Sequence, residues 1–168
     1  FDVQVHYVHD DYPSPSGLLS LRRAAENWNP DAPEEEHGLD DIQFENFYRE
    51  VFVQSHTKVA VLSNAPNDRK EAWFLSNEAA LATRDRVSQR TGRRSLLAHG
   101  LITPGQPGWR EEFERMLALG PDAIKGYTLG DPGGGSQYPW RLDDADLVYP
   151  VYERLAEAGV RTICIHKG

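Results

Sequence analysis

The sequence predicts an α/β fold in which repeated βα units build a parallel sheet. Short runs rich in β-branched residues alternate with longer stretches of helical period, which is the pattern of such units. Three predicted helices end at a glycine, Gly92, Gly120 or Gly159, and each returns at once to a strand. The strand-to-helix connections are longer, so loops gather at the carboxyl ends of the strands, where parallel α/β folds bind ligands.

The elements follow one another as five strands and four helices. Short β-branched and apolar runs predict strands at 2–8, 57–63, 95–100, 122–128 and 161–167. Apolar residues at helical spacing predict helices at 42–54, 76–91, 108–119 and 144–158. Pro150 interrupts the last helix, where we expect a kink or a late start.

Two parallel folds fit this order of elements. Five strands suit a flavodoxin-like open sheet, and they are also the first five strands of an eight-stranded barrel. The sequence stops at Gly168 directly after the fifth strand, whereas a complete doubly wound domain has helices on both faces of its sheet. We therefore expect one domain, residues 1–168, that supplies the first five strands and four helices of a (β/α)8 TIM barrel. Residues 9–41 form a long loop, either a lid or a poorly ordered excursion.

Composition limits the classes of function. Acidic residues outnumber basic ones by 26 to 18, and the net charge of −8 disfavours binding to nucleic acid or to anionic membranes. A single cysteine, Cys164, excludes an internal disulfide and favours a reducing compartment such as the cytoplasm. The sequence contains no apolar run long enough to span a membrane. We expect a protein that acts on small molecules.

Polar side chains interrupt the apolar strands near their carboxyl ends. In "FDVQVH", Gln4 and His6 share one face of the first strand, and Val3 and Val5 share the other. In a barrel covered by helices, the valines would face the helices and the polar pair would point inward. Such a pair needs a metal ion, water or a hydrogen-bond network to satisfy it.

The fourth and fifth strands repeat this theme. In "ICIHKG", Cys164 and His166 share one face, and the imidazole of His166 at the strand end could ligate zinc. In "AIKGYT", Lys125 lies among apolar neighbours, so its amine must be paired, deprotonated or modified. Gly126 beside it would let backbone or ligand come close.

Three further residues are candidates for contact with a substrate. His99 closes the third strand in "LLAHG". Arg141 could orient a substrate carboxylate through a bidentate contact, or lie on the surface. Trp140 either walls a pocket or packs under a loop.

These motifs resemble the amidohydrolase superfamily, and within it the amidohydrolase-related group that includes aminocarboxymuconate semialdehyde decarboxylase. "FDVQVH" is similar to the first-strand His-x-His metal motif, with Gln4 in place of the first histidine. "AIKGYT" and "ICIHKG" are similar to the fourth and fifth strands, and the resemblance extends to "TPGQPGW" and "YPWRLDD". It covers nearly the whole chain, as strands one to five of the barrel.

The resemblance implies a (β/α)8 barrel with a divalent metal ion, zinc being the expected one. His6 and His166 would be metal ligands, Gln4 a weak or outer ligand, and Lys125 a carbamylated bridge. The implied activity is hydrolysis of a C–N or C–O bond of a small substrate by metal-activated water. Decarboxylation of an activated carboxylic acid is the alternative within the same family.

The resemblance also bears on partners. Two further site residues of the family, a histidine on the sixth strand and an aspartate on the eighth, fall beyond Gly168, so the 168-residue chain alone is expected to be inactive. A reading from another class stays open, in which the chain is a non-catalytic half-barrel module. Its open edges would pair with the missing part of the barrel or with a second copy in a homo-oligomer.

Overall fold

The computed structural model describes residues 1–8 and 43–166, and the predicted loop at 9–41 lies outside them. Five strands form one parallel sheet: β1 (Asp2–Val5), β2 (Ala60–Leu62), β3 (Leu96–Ile102), β4 (Ala123–Tyr127) and β5 (Ile163–His166). The helices are α1 (Phe44–Tyr48), which continues as a π-helical turn (Arg49–Val53), α2 (Asn77–Thr91), α3 (Trp109–Ala118) and α4 (Tyr149–Glu157). A 3₁₀ turn (Lys70–Ala72) lies between β2 and α2.

The order of the strands distinguishes the two parallel folds that the sequence allows. The sheet runs β1-β2-β3-β4-β5, and every neighbouring pair is parallel. A flavodoxin-like sheet would place β1 between β2 and β3, so that alternative is wrong. The predicted α/β class is confirmed as a five-stranded parallel half-barrel sheet with helices, whereas closure into a (β/α)8 barrel stays a prediction.

The elements lie where the sequence pattern predicts them, but several boundaries differ: β1 ends at Val5 rather than at residue 8, and β2 begins at Ala60 rather than at residue 57. Gly92, Gly120 and Gly159 follow helix ends with φ of 66°, 67° and 75°, the left-handed conformation that glycine adopts most easily. The last helix begins at Tyr149 rather than at residue 144, and Pro150 lies in its first turn, where the missing N–H costs nothing. The late start is thus confirmed. Strand β3 extends to Ile102, two residues beyond its predicted end at 100.

Side chains that alternate along the strands divide the sheet into two faces, and the helices cover one of them. A first apolar cluster joins α1 and α2 to this face; it includes Val5, Tyr7, Phe44, Phe47, Leu62, Val87, Leu96 and Ala98. A second joins α3 and α4 to it; it includes Ile102, Phe113, Met116, Ile124, Trp140, Val151 and Leu155. Ile163 and Ile165 pack against this second cluster, so the predicted alternation of β5 is confirmed.

Two glycines on the helix side let large side chains approach the sheet. A Cβ atom on Gly100 would lie 2.1 Å from the Met116 sulfur, and one on Gly126 would lie 2.8 Å from the Trp140 indole. The close approach that "AIKGYT" predicts at Gly126 is therefore made by Trp140. The first contact brings α3 tightly onto β3, and the second brings the loop between β4 and α4 tightly onto β4.

The inner face carries the polar strand residues. Gln4, His6, Ser63, His99 and Lys125 each stand next in sequence to a residue of the two helix-side clusters, so their side chains point to the opposite face. Gln4, His6, Ser63 and Lys125 lie within two residues of the carboxyl ends of their strands, and His99 lies in the middle of β3. The fold thus collects polar groups from β1, β2, β3 and β4 at one end of the inner face. In the described ranges, no helix combines the length and apolar character needed to cross a membrane.

Candidate functional site

The polar residues of the inner face form a connected chain of contacts. Lys125 Nζ lies 3.4 Å from Gln4 Oε1, and Gln4 Nε2 lies 3.0 Å from His6 Nε2. His6 Nδ1 lies 2.8 Å from the main-chain oxygen of Ser63, whose hydroxyl lies 2.7 Å from His99 Nδ1. Side chains from four strands are therefore linked through hydrogen bonds across the half-barrel.

The contacts of His6 fix its tautomer and the orientation of Gln4. A carbonyl oxygen only accepts hydrogen bonds, so His6 Nδ1 must carry the proton that it donates to Ser63. In the neutral ring, Nε2 then holds a lone pair and accepts from the Gln4 amide, which turns its Oε1 toward Lys125. Burial, with a further effect from the nearby Lys125 charge, lowers the pKa of His6 and favours this neutral form, although part of the residue remains exposed.

Lys125 is the one member of this chain of contacts that carries a charge at its ordinary pKa. Its side chain is only 5% exposed, and burial lowers the pKa of the amine. Within residues 1–8 and 43–166, no carboxylate forms an ion pair with it. Its neighbours are the Gln4 amide and the ring of Tyr127, whose centroid is 5.4 Å from Nζ. Of the three predicted states, pairing with a carboxylate therefore has no support in the described residues.

His99 is held as a neutral imidazole. It is 4% exposed, and burial lowers its pKa to about 4, with smaller contributions from Lys125 and His6. Ser63, which is fully buried, bonds to its Nδ1. No described residue forms a hydrogen bond with its Nε2. His99 thus lies on the inner face of the sheet, on the strand between β2 and β4, and the predicted contact with a substrate would be made there.

His166 lies at the end of β5, apart from the connected chain. Its ring stacks on Tyr127 with centroids 4.9 Å apart, and β5 places it in register with that residue. Tyr127 is 3% exposed, donates to the main-chain oxygen of Asn64 at 3.2 Å, and has its pKa raised to about 12 by burial. No hydrogen bond joins His166 to His6, Gln4 or Lys125. The structure therefore brings three of the four predicted metal ligands together and holds the fourth against Tyr127.

Trp140 and Arg141 occupy a different part of the molecule. Trp140 packs over Gly126 on the helix side of β4, on the opposite face from Lys125. The Arg141 side chain is 80% exposed and forms a bidentate ion pair with Asp143, with contacts of 2.9 and 3.0 Å. Both line a surface cavity of about 660 Å³ beside the loop that follows β4. Trp140 is 5% exposed and thus combines both alternatives, packing over the sheet and walling a cavity, whereas Arg141 has a surface position.

Sequence reasoning missed Ser63 and Tyr127 as members of the site. Ser63 follows the apolar run of β2 in "VAVLSN", and Tyr127 ends β4 in "AIKGYT". The available signal was the two-residue period, because Ser63 alternates with the helix-side Leu62 and Tyr127 shares its face with Lys125. A loop segment with Trp73 and Phe74 then covers this end of the inner face, and the Phe74 ring meets His6 edge-on at 6.3 Å.

The described residues contain no group of three or more histidine, cysteine, aspartate or glutamate side chains placed to hold a metal ion. Comparison with protein-family models, curated proteins and solved structures finds no match to this chain.

Proposed function

We propose that this protein is a metal-dependent hydrolase of the amidohydrolase type, in which metal-activated water attacks a C–N or C–O bond of a small substrate. The observation that carries the proposal is the polar chain of contacts from Lys125 through Gln4 to His6 at the carboxyl ends of the strands. Parallel α/β folds place their reactive groups at that end. The motif resemblance of "FDVQVH", "AIKGYT" and "ICIHKG" supports the same assignment.

The state of His6 fits a metal ligand. A ligating histidine commonly donates one ring N–H to a carbonyl oxygen, which leaves the other nitrogen free to bind the metal. His6 donates from Nδ1 to Ser63, and its Nε2 lone pair is directed to the interior, where the Gln4 amide donates to it. Rotation of that amide would turn Oε1 toward the same point, so Gln4 and His6 can supply an oxygen and a nitrogen donor side by side.

The remaining donors come from β4 and β5. Lys125 binds a metal ion only as a neutral amine or a carbamate, and the burial that lowers its pKa favours the uncharged state that both require. His166 would become the third ligand by leaving its stacked position on Tyr127. Catalytic zinc sites use three protein ligands and leave a position open, so His6, Lys125 and His166 would suffice, with Gln4 as a weak or outer ligand.

A bound divalent ion would lower the pKa of a coordinated water to about 7 and polarise a substrate carbonyl. The residues of the protein would orient the groups of the site. Ser63 holds the His6 ring in place, Gln4 spans the gap between His6 and Lys125, and the buried walls formed by Tyr127 and Phe74 exclude water from one side of the site.

Metal content tests the proposal. We expect elemental analysis of the purified protein, after exposure to zinc and removal of excess metal, to find tightly held divalent ion. His6→Ala and His166→Ala should lose it, whereas the exposed His56→Ala is the matched control and should retain it. Gln4→His should bind more tightly, because imidazole is a stronger zinc donor than an amide oxygen. Full metal occupancy in both His6→Ala and His166→Ala, or none in the unmodified protein, would contradict the assignment.

A further inference from the structure

Ser63 contacts two imidazoles through different atoms. It directly follows β2, which lies between β1 and β3, and its N–H donates to the main-chain oxygen of Val5 at 2.9 Å. Its carbonyl oxygen accepts from His6 on the β1 side, and its hydroxyl bonds to His99 on the β3 side. Since Ser63 is fully buried, each of these groups must find its partner within the protein.

The contacts of Ser63 favour opposite tautomers of the two imidazoles. The carbonyl oxygen only accepts, so it selects the form of His6 with the proton on Nδ1. The hydroxyl of Ser63 has one hydrogen to donate, and the only acceptor that the described residues offer it is Nδ1 of His99 at 2.7 Å. A neutral His99 that accepts at Nδ1 must carry its proton on Nε2.

We propose that Ser63 is a positioning residue that holds His99 in the Nε2–H form, and that His99 is a catalytic residue whose Nε2–H donates to the substrate carbonyl oxygen. The second half of this proposal rests on the proposed hydrolase function. The first half does not, because it is argued from the contact between Ser63 and His99 and involves no substrate.

In hydrolysis, an N–H donor of this kind can stabilise the charge that develops on the substrate. When hydroxide adds to a carbonyl carbon, the π electrons move to the carbonyl oxygen, and a preorganised N–H donor stabilises the charge that develops there. His99 keeps its proton through this step, and the oxygen returns its electrons when the C–N or C–O bond breaks; the leaving nitrogen or oxygen departs with the electron pair of that bond and takes the proton of the added hydroxyl group, which leaves a carboxylate. Burial that lowers the His99 pKa to about 4 keeps the imidazole neutral near pH 7, so the donor is N–H of the neutral ring.

The position of His99 is compatible with that role. Its side chain lies on the inner face, as do Lys125 and His6, whose charges contribute to its lowered pKa and which therefore lie nearby. No described residue accepts a hydrogen bond from its Nε2, so that donor is available to a bound molecule in this part of the chain. A carbonyl oxygen between Lys125 and His99 would meet two donors from neighbouring strands.

Nitrogen NMR tests the tautomer directly. In metal-free, ¹⁵N-labelled protein near neutral pH, long-range ¹H–¹⁵N correlation spectra should show the Nε2–H pattern for His99 and the Nδ1–H pattern for His6, with assignments from His99→Gln and His6→Gln. Ser63→Ala should remove the pure Nε2–H pattern of His99 and leave His6 unchanged, because a main-chain oxygen holds His6. Ser63→Thr keeps the hydroxyl and should restore the His99 pattern.

Three results would overturn the positioning role: an Nδ1–H pattern for His99, an imidazolium pattern for His99, or an unchanged His99 pattern in Ser63→Ala. If Ser63→Ala does not fold, the spectrum of the unmodified protein still decides the tautomer. This measurement is separate from the metal analysis, because it uses metal-free protein. Metal binding with the wrong tautomer would refute this inference alone, whereas the right tautomer without metal binding would refute the proposed hydrolase and the donor role of His99 but not the positioning role of Ser63.

A tetrahedral oxyanion probes the donor role. We expect methylphosphonate, added to the zinc-loaded protein, to move the His99 Nε2–H resonance downfield, and to do so much less in Ser63→Ala. The exposed His56 serves as the internal reference and should not move. If methylphosphonate shifts other inner-face resonances without affecting His99, or binds nowhere on this face, the donor role is wrong.

Discussion

Burial fixes the charge of His99 in the middle of β3. Only 4% of the residue is exposed, and burial is the largest cause of its lowered pKa; Lys125 and His6 lower it further, and Asp122 offsets only a smaller part. The neutral ring is instead satisfied by the hydroxyl of Ser63. The same residue that serves the proposed site therefore couples folding to pH.

The unfolding free energy should fall as the pH drops through the window set by His99. In the unfolded chain its pKa is near the ordinary 6.5, and in the fold it is about 4, so between these values the unfolded state binds more protons. Stability from this group is complete above about pH 6.5 and is lost toward pH 4, by about 3 kcal/mol in total. Urea unfolding of metal-free protein at several pH values measures this slope.

Substitution of His99 isolates its share of the pH dependence. His99→Gln should flatten the slope between pH 6.5 and 4, whereas His56→Gln, at an exposed position, should leave it as in the unmodified protein. Carboxylates titrate in the same range in all three proteins, so the contribution of His99 is measured by the difference between the slopes. An equal slope in His99→Gln and in the unmodified protein would show that burial does not shift this imidazole.

At the scale of single elements, the local sequence pattern predicted where strands and helices lie along the chain better than it predicted how they meet in the fold. Periodicity and terminal glycines located all the strands and helices in the described ranges, because these signals act over a few neighbouring residues. The start of α4 was misplaced because Pro150 fits the first turn of a helix as readily as it breaks an interior one. The inward placement of Gln4, His6 and Lys125 followed from alternation, whereas loop residues such as Trp140 have no such period.

The sequence pattern could not predict which side chains link separate elements. Asn77 opens α2, yet its fully buried amide accepts from the Leu101 N–H at 2.7 Å and donates to the Leu101 oxygen and to Glu112 at 3.2 and 3.0 Å. One side chain thus ties α2 to β3 and α3. Its partners are separated from it by 24 and 35 residues, a distance over which no periodicity operates.

Removal of the Asn77 amide should loosen this junction. Asn77→Ala leaves the Leu101 N–H and oxygen without partners in a buried place, and we expect a loss of about 2 to 4 kcal/mol in unfolding free energy. Gln89→Ala, at an exposed position on the same helix, is the matched control and should change stability by less than about 0.5 kcal/mol. Chemical denaturation followed by circular dichroism provides both values. Similar stability of the two variants would contradict the bridging role.

For the whole molecule, one sheet connects two separate apolar clusters. The first lies under α1 and α2, the second under α3 and α4, and β3 contributes Leu96 and Ala98 to one and Ile102 to the other. Because β3 pairs with both β2 and β4, the loss of either cluster would expose a strand that the other needs. The described part of the chain should therefore unfold as one cooperative unit.

A double substitution tests this cooperativity. Val87→Ala in the first cluster and Val151→Ala in the second each remove two buried methyl groups from a helix, and each should cost about 2 kcal/mol. The clusters share no residue, so the double variant should show the sum to within about 0.5 kcal/mol. Unfolding followed by tryptophan fluorescence and by circular dichroism should give a single, coincident transition. Two separate transitions, each shifted by only one of the substitutions, would show instead that the clusters are independent and that β3 does not couple them.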